Sequence, residues 1–140
     1  MRSEKPNVLL VEDSPGDVNL VEEAMEEAQL DCRLHIMRDG ARAIEFLERL
    51  DAEPDRLPLD VVLLDMNLPT IGSEEVLKRV LISPKCKGVK VLIISSSEVA
   101  ADRERMLKLG ASDYFRKPLD LAQFMLLGSK VRAMIDDEAG

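Results

Sequence analysis

A chain of 140 residues has room for one sizeable hydrophobic core and buries about 68–70% of its unfolded surface, so it needs no disulfide or metal staple to fold. A net charge of −8 argues against non-specific binding to nucleic acid or to an anionic membrane, since both need clustered Lys and Arg. No segment approaches the ~20 apolar residues of a membrane span, and the start "MRSEKPN" is too short and polar for a signal peptide.

In chain order, "VLLV" (Val8–Val11) is the first compact aliphatic run and reads as a strand covered on both faces. Ser14-Pro15 then supplies a helix N-cap and a first-turn proline, with Asp17 where a capping carboxylate belongs. Val18, Val21, Met25 and Ala28 recur at helical spacing after it. "RLHIM" (Arg33–Met37) alternates polar and apolar residues and predicts an edge strand. Gly40 precedes a second helix with Ile44 and Leu47 inward, and "DAEPDRLP" (Asp51–Pro58) reads as a polar, proline-bearing loop. "VVLL" (Val61–Leu64) is another buried strand, followed by a third helix over about Ser73–Ile82 that stops near Ser83-Pro84. "VKVLII" (Val89–Ile94) repeats the strand signature. A fourth helix over about Glu98–Leu109 ends at Gly110, a residue suited to a left-handed cap. "DYF" (Asp113–Phe115) is a very short edge strand. The last helix starts after Pro118 and uses Leu121, Phe124, Met125, Val131 and Ile135, with Gly128 weakening its middle and "DDEAG" (136–140) fraying.

Strand followed by helix, five times over, implies a parallel sheet with right-handed crossovers. Placing the two weak strands at the edges gives the order 2-1-3-4-5, a flavodoxin-like α/β fold with helices on both faces. The span 1–140 is expected to form one domain, without repeats or an output domain. Cys32 and Cys86 lack CxxC or zinc-finger spacing and read as reduced thiols of a cytoplasmic protein. His35 is the only histidine and lies in an alternating segment, which makes it structural and leaves no histidine-rich metal site.

One stretch stands out. In "VVLLDMNLP" (Val61–Pro69) four aliphatic residues end on Asp65, and a turn follows at Leu68-Pro69. Ligands of such sheets bind beyond the C-terminal strand ends. Those ends carry Glu12 and Asp13 after the first strand, Asp65 after the third, Ser95 and Ser96 after the fourth, and Lys117 after the fifth. Taken singly, each has an ordinary reading, because strand ends often carry Asp and an acidic pair often starts a helix. Together they form one cleft, in which three carboxylates would repel unless a cation resolves them. An all-oxygen set favours Mg²⁺, or Mn²⁺, over zinc, with the carbonyl of Asn67 as a further oxygen. Lys117 adds a second positive charge. The set suits phosphoryl transfer to a carboxylate: Asp65 is the nucleophile, and the lysine, the metal and the Ser95 hydroxyl neutralise or hold the transferring oxygens.

These residues resemble the receiver domain of two-component response regulators, and the likeness runs from "VLLVEDS" through "LLDMNLP" and "IISSSE" to "LGASDYFRKPLD". The resemblance implies that Asp65 is the phosphoacceptor and that Glu12 and Asp13 bind the metal together with Asp65 and the Asn67 carbonyl. It also implies that Ser95 and Tyr114 are the switch pair, that Lys117 is the family's invariant lysine, and that the Lys117-Pro118 peptide bond is cis. Many receivers carry Asp-Gly after the phosphoacceptor loop, where this chain has Gly72-Ser73. The loop of Asp51–Pro58, "VEDSPGDVNL" and "KPLDLAQF" resemble single-domain regulators associated with phytochrome histidine kinases.

The implied role is a signalling switch, not a turnover enzyme. Phosphate arrives from a histidine kinase, a phytochrome among the candidates, and the surface of the fourth helix, fifth strand and fifth helix responds. A homodimer through that surface is expected, with Leu119, Phe124, Leu127 and Met134 as interface residues and with no nucleic-acid or membrane partner. Two other classes compete. A haloacid-dehalogenase-type aspartyl phosphatase has a nucleophile strand like "LLDMN", but it needs a second Asp where this chain has Asn67. A non-phosphorylated interaction module would have no use for the full set of acids, hydroxyl and lysine.

Overall fold

Residues of alternating direction build the sheet. Strands β1 (Asn7–Val11), β2 (Arg33–Met37), β3 (Val61–Asp65), β4 (Lys90–Ser95) and β5 (Asp113–Arg116) are all parallel, in the order β2-β1-β3-β4-β5. The computed structural model describes residues 5–56, 58–68 and 71–139, the last three by backbone alone. Helices α1 (Pro15–Glu27), α2 (Gly40–Ala52), α3 (Ser73–Ile82), α4 (Ala100–Leu109), α5 (Leu121–Phe124) and α6 (Leu126–Ala139) complete it, with a 3-10 turn at Pro84–Cys86.

Because side chains alternate along a strand, the three central strands feed two cores. Leu9, Val11, Val62, Leu64, Val91 and Ile93 pack with Leu47 of α2, Val76, Leu77 and Val80 of α3, and Met106 of α4. Val8, Leu10, Val61, Leu63, Leu92 and Ile94 face Val21 and Met25 of α1 and Leu127, Val131 and Ile135 of α6. β1 and β3 are buried at every residue, whereas β2 and β5 are half-covered, as their alternating or short sequences predict. His35 is structural: its Nε2 lies 3.1 Å from Asn7 Oδ1 and its ring packs 5.3 Å from that of Phe46. Both cysteines are free.

The helices depart from the sequence reading at three places. α4 begins at Ala100 instead of Glu98, because Ser97 Oγ accepts the Val99 N–H at 3.1 Å and bonds Asp102 Oδ2 at 2.7 Å, which holds 97–99 in a non-helical cap. The single last helix is two, separated at Met125. The tail expected to fray is helical to Ala139, continuing the turn that packs Met134 and Ile135; Ala and Glu near its end are good helix formers. Gly128 also gains a reason. A Cβ there would sit 2.0 Å from the Ala24 carbonyl oxygen, so only glycine lets α6 approach α1 this closely.

Three of the four expected interface residues are corrected as well. Phe124, Leu127 and Met134 are buried in the chain's own core, since helix faces cover the sheet before they meet a partner; Leu119 is fully exposed. The turn expected at Leu68-Pro69 runs into residues outside the described ones. Among the described residues, no helix is long and apolar enough to cross a membrane.

Candidate functional site

The C-terminal ends of β1, β3, β4 and β5 hold the chemistry, and the sheet ladder fixes them. Backbone bonds continue past the strands: Glu12 N–H to the Met37 carbonyl at 3.0 Å, Met66 N–H to Ile94 at 2.9 Å, and Lys117 N–H to Ser95 at 2.7 Å. Alternation then sorts the side chains. Glu12, Asp65 and Lys117 continue the rows that face α1 and α6, whereas Ser95 and Tyr114 continue the rows that face α3 and α4.

Glu12, Asp13 and Asp65 offer carboxylate oxygens that lie within 4.8 Å of one another. Glu12 is 1% and Asp65 4% exposed, while Asp13 is open to solvent. The Lys117 ammonium donates to Glu12 Oε1 at 2.8 Å and to Asp17 Oδ2 at 2.7 Å, and lies 3.6 Å from Asp65 Oδ1. Burial, then a hydrogen bond with Asp65, pushes the Glu12 carboxyl up to about 7 against the pull of Lys117. For Lys117, burial pulls the ammonium down, but bonds to Asp17 and Glu12 and the charges of Asp65 and Glu12 outweigh it and hold its pKa above the usual lysine value. The lysine is therefore a permanent cation. One ammonium among four carboxylates leaves an excess of negative charge beside the buried Asp65 carboxylate.

Local turns shape the surroundings of Asp65. The Asn67 N–H donates to Asp65 Oδ1 at 3.1 Å, and Ser73 Oγ donates to the Met66 carbonyl at 2.9 Å, closing the loop after β3 from the start of α3. Arg38 pins the other loop by donating to the Asp13 carbonyl at 3.0 Å. Ser95 is buried and its Oγ accepts the Ser97 N–H at 3.0 Å. Tyr114 packs half-buried against the α2–α4 core, and its hydroxyl donates to the Ser97 carbonyl at 3.3 Å. Ser97 thus touches both expected switch residues.

Two sequence expectations change here. No cis peptide bond occurs among the described residues, so Lys117-Pro118 is trans. Trans is the lower-energy isomer of an X–Pro bond by about 0.5–1 kcal/mol, and in it the lysine already reaches its acids. Asp17 was expected to serve its own helix; instead Ser14 Oγ accepts the Asp17 N–H at 3.3 Å and the Asp17 carboxylate turns to Lys117. A third-position carboxylate ordinarily bonds the N-cap N–H, but here Glu12 Oε2 accepts the Ser14 N–H at 3.2 Å, a contact across the β1–α1 turn that spacing alone does not reveal.

The donor set suits a hydrated divalent ion. Three carboxylates from the ends of two neighbouring strands, one of them open to water, fit Mg²⁺ or Mn²⁺ and lack the nitrogen or sulfur that zinc prefers.

A parallel 2-1-3-4-5 sheet with an acidic triad, a lysine and a buried serine at its C-terminal edge defines a signalling receiver. Residues 8–127 match the family described as the response regulator receiver domain, and the chain belongs to that family. It is 32% identical over 114 residues to response regulator Rcp1 of Synechocystis sp., covering 81% of this chain and 78% of that protein. It is 34% identical over 131 residues to two-component response regulator ARR3 of Arabidopsis thaliana, covering 91% of this chain but spanning only 56% of that protein. Among solved structures, the phosphorylated cyanobacterial phytochrome response regulator RcpA superposes with a TM-score of 0.83 at 27% identity, covering 98% of each chain. The Mn²⁺-bound form of Rcp1 gives 0.78 at 29%, covering 91% of this chain and 92% of that one.

Proposed function

We propose that this chain is a phosphorylation-controlled switch whose phosphoacceptor is Asp65. The observation that carries the reading is the buried Asp65 carboxylate, grouped with Glu12 and Asp13 within 4.8 Å and facing the Lys117 ammonium at 3.6 Å. In the transfer, an Asp65 oxygen bonds to phosphorus as the bond from phosphorus to a kinase histidine nitrogen breaks. The electron pair leaves with that nitrogen, which takes its proton from water. Lys117 neutralises charge on the transferring oxygens without reorganising, because it is already in place. Glu12, Asp13, Asp65 and the Asn67 carbonyl would hold Mg²⁺ or Mn²⁺, which when bound supplies the remaining positive charge. Ser95 and Tyr114 then form the readout: the Ser95 hydroxyl, whose Oγ accepts the Ser97 N–H, turns to donate its O–H to a phosphoryl oxygen, and the Ser97–Tyr114 contact transmits the change to α4 and β5.

Likeness to the phytochrome response regulator RcpA and to the bacteriophytochrome response regulator RtBRR supports a phytochrome-type histidine kinase as the donor. A homodimer through α4, β5 and the last helices would use the exposed Val99, Leu119, Leu121 and Leu126 instead of the buried residues. Incubation with radiolabelled acetyl phosphate and Mg²⁺ tests the reading: the parent takes up label and Asp65→Asn does not. Equal labelling of the two would discard it. Profiling against histidine kinases tests the donor, and a monomeric mass by sedimentation, with and without phosphorylation, would remove the dimer.

A further inference from the structure

We infer that Asp17 is a positioning residue for Lys117 and, through it, for phosphoryl transfer to Asp65; the inference rests on the phosphoacceptor reading above. An ammonium has three N–H donors. Two are engaged, with Glu12 Oε1 at 2.8 Å and with Asp17 Oδ2 at 2.7 Å. Asp65 Oδ1, at 3.6 Å, is within ion-pair range but beyond a hydrogen bond. The third donor is thus left for an oxygen arriving between Nζ and Asp65, where a phosphoryl oxygen would be.

Asp17 has no competing duty. The helix cap is made by Ser14, whose Oγ accepts the Asp17 N–H. The carboxylate crosses from the first turn of α1 to the end of β5, linking residues 100 positions apart. Both lie on the same side of the sheet, since α1 packs on the face towards which the Lys117 row points. Glu12, the other anchor, also belongs to the carboxylate cluster with Asp13 and Asp65, so its oxygens have a second claim on them; Asp17 lies outside that cluster. A lysine stem is long and flexible. Two charge-assisted bonds fix its tip, and only the bond to Asp17 is independent of what the cluster does. Asp17 therefore holds the ammonium ready for the developing charge on phosphorus.

Asp17→Asn keeps the shape of the side chain and removes the charge. With the full chain, saturating Mg²⁺ and acetyl phosphate, its phosphorylation rate is expected to fall about tenfold, the effect of weakening one charge-assisted hydrogen bond in the transition state. Mg²⁺ affinity by calorimetry stays unchanged, and Asp17→Glu recovers most of the rate. A metal-free readout is independent of turnover: acylation of Lys117 by an amine reagent, followed by mass spectrometry without Mg²⁺, rises in Asp17→Asn. A parental rate in Asp17→Asn, no recovery in Asp17→Glu, or unchanged Lys117 reactivity would each overturn the inference. Full labelling of Asp65→Asn would instead remove the phosphoacceptor reading, while the Lys117 reactivity would still report on the anchor.

Discussion

Asp51 shows how one carboxylate, away from the acidic cluster, ties several segments together. It lies in the last turn of α2, accepts from Arg79 at 2.7 Å and Ser83 Oγ at 2.6 Å, and receives the Lys85 N–H at 3.2 Å. Its side chain is 15% and that of Arg79 19% exposed, so the pair is largely shielded from water and salt. Burial pushes the Asp51 carboxyl up, but the bonds from Ser83, Arg79 and the Lys85 amide outweigh it and hold it below the usual carboxylate value. The sign of the pH effect follows. A folded-state pKa lowered below the unfolded one gives stability that is complete above the unfolded value, about 3.9, and is lost as pH falls through the folded value. Asp51→Asn is therefore expected to lower stability by about 2 kcal/mol at neutral pH, the scale of hydrogen bonds to a charged group. Urea unfolding should show the gap starting to narrow below about pH 4 and closing only as pH falls through the lower folded-state value, where the parent carboxyl also becomes neutral. A gap that persists undiminished in acid would mean that the charge of Asp51 contributes nothing.

Two glycines in helices call for opposite outcomes from one substitution. In α1, a Cβ on Gly16 would meet only Ser14 Oγ at 3.8 Å, an ordinary contact. Gly16→Ala is expected to stabilise by roughly 0.5–1 kcal/mol, the helix-propensity difference. In α6, the Cβ on Gly128 would strike the Ala24 carbonyl oxygen at 2.0 Å and its carbon at 2.7 Å. Because the obstacle is backbone, trimming the Ala24 side chain cannot relieve it. Gly128→Ala should cost about 1–3 kcal/mol, in the range of overpacked cores, and thermal melts of the two variants should move in opposite directions. This contrast marks where the sequence was legible. The aliphatic runs Val8–Val11 and Val61–Leu64 state their burial locally, and β-α alternation orders them, so the sheet and the ring of acids around Asp65 could be read from residue patterns. Gly128, the break at Met125 and the turn of Asp17 towards Lys117 depend on which element lies opposite. Contacts between residues 100 or more positions apart leave no local periodic trace.

For the molecule as a whole, the acidic edge, which Lys117 only partly neutralises, opposes folding unless a divalent ion is added. Folding buries Glu12 and Asp65 against each other, with the Glu12 carboxyl raised to about 7, whereas in the unfolded chain the same acids are dispersed in water. A divalent ion that binds only the assembled cluster must stabilise the fold by mass action, about 2.7 kcal/mol at one hundred times its dissociation constant. Melting temperature is therefore expected to climb with Mg²⁺ and to fall back on chelation. Two controls separate the site from the general effect of ions on a chain of net charge −8. NaCl at matched ionic strength screens long-range repulsion but does not occupy the cluster, so it should reproduce only a small part of the rise. Asp13→Asn removes the solvent-facing member of the cluster while leaving the buried pair and Lys117 in place, so most of the Mg²⁺ response should vanish with little loss of metal-free stability. If NaCl alone matched Mg²⁺, or Asp13→Asn kept the full response, the acids would be acting as diffuse charge and not as a binding site.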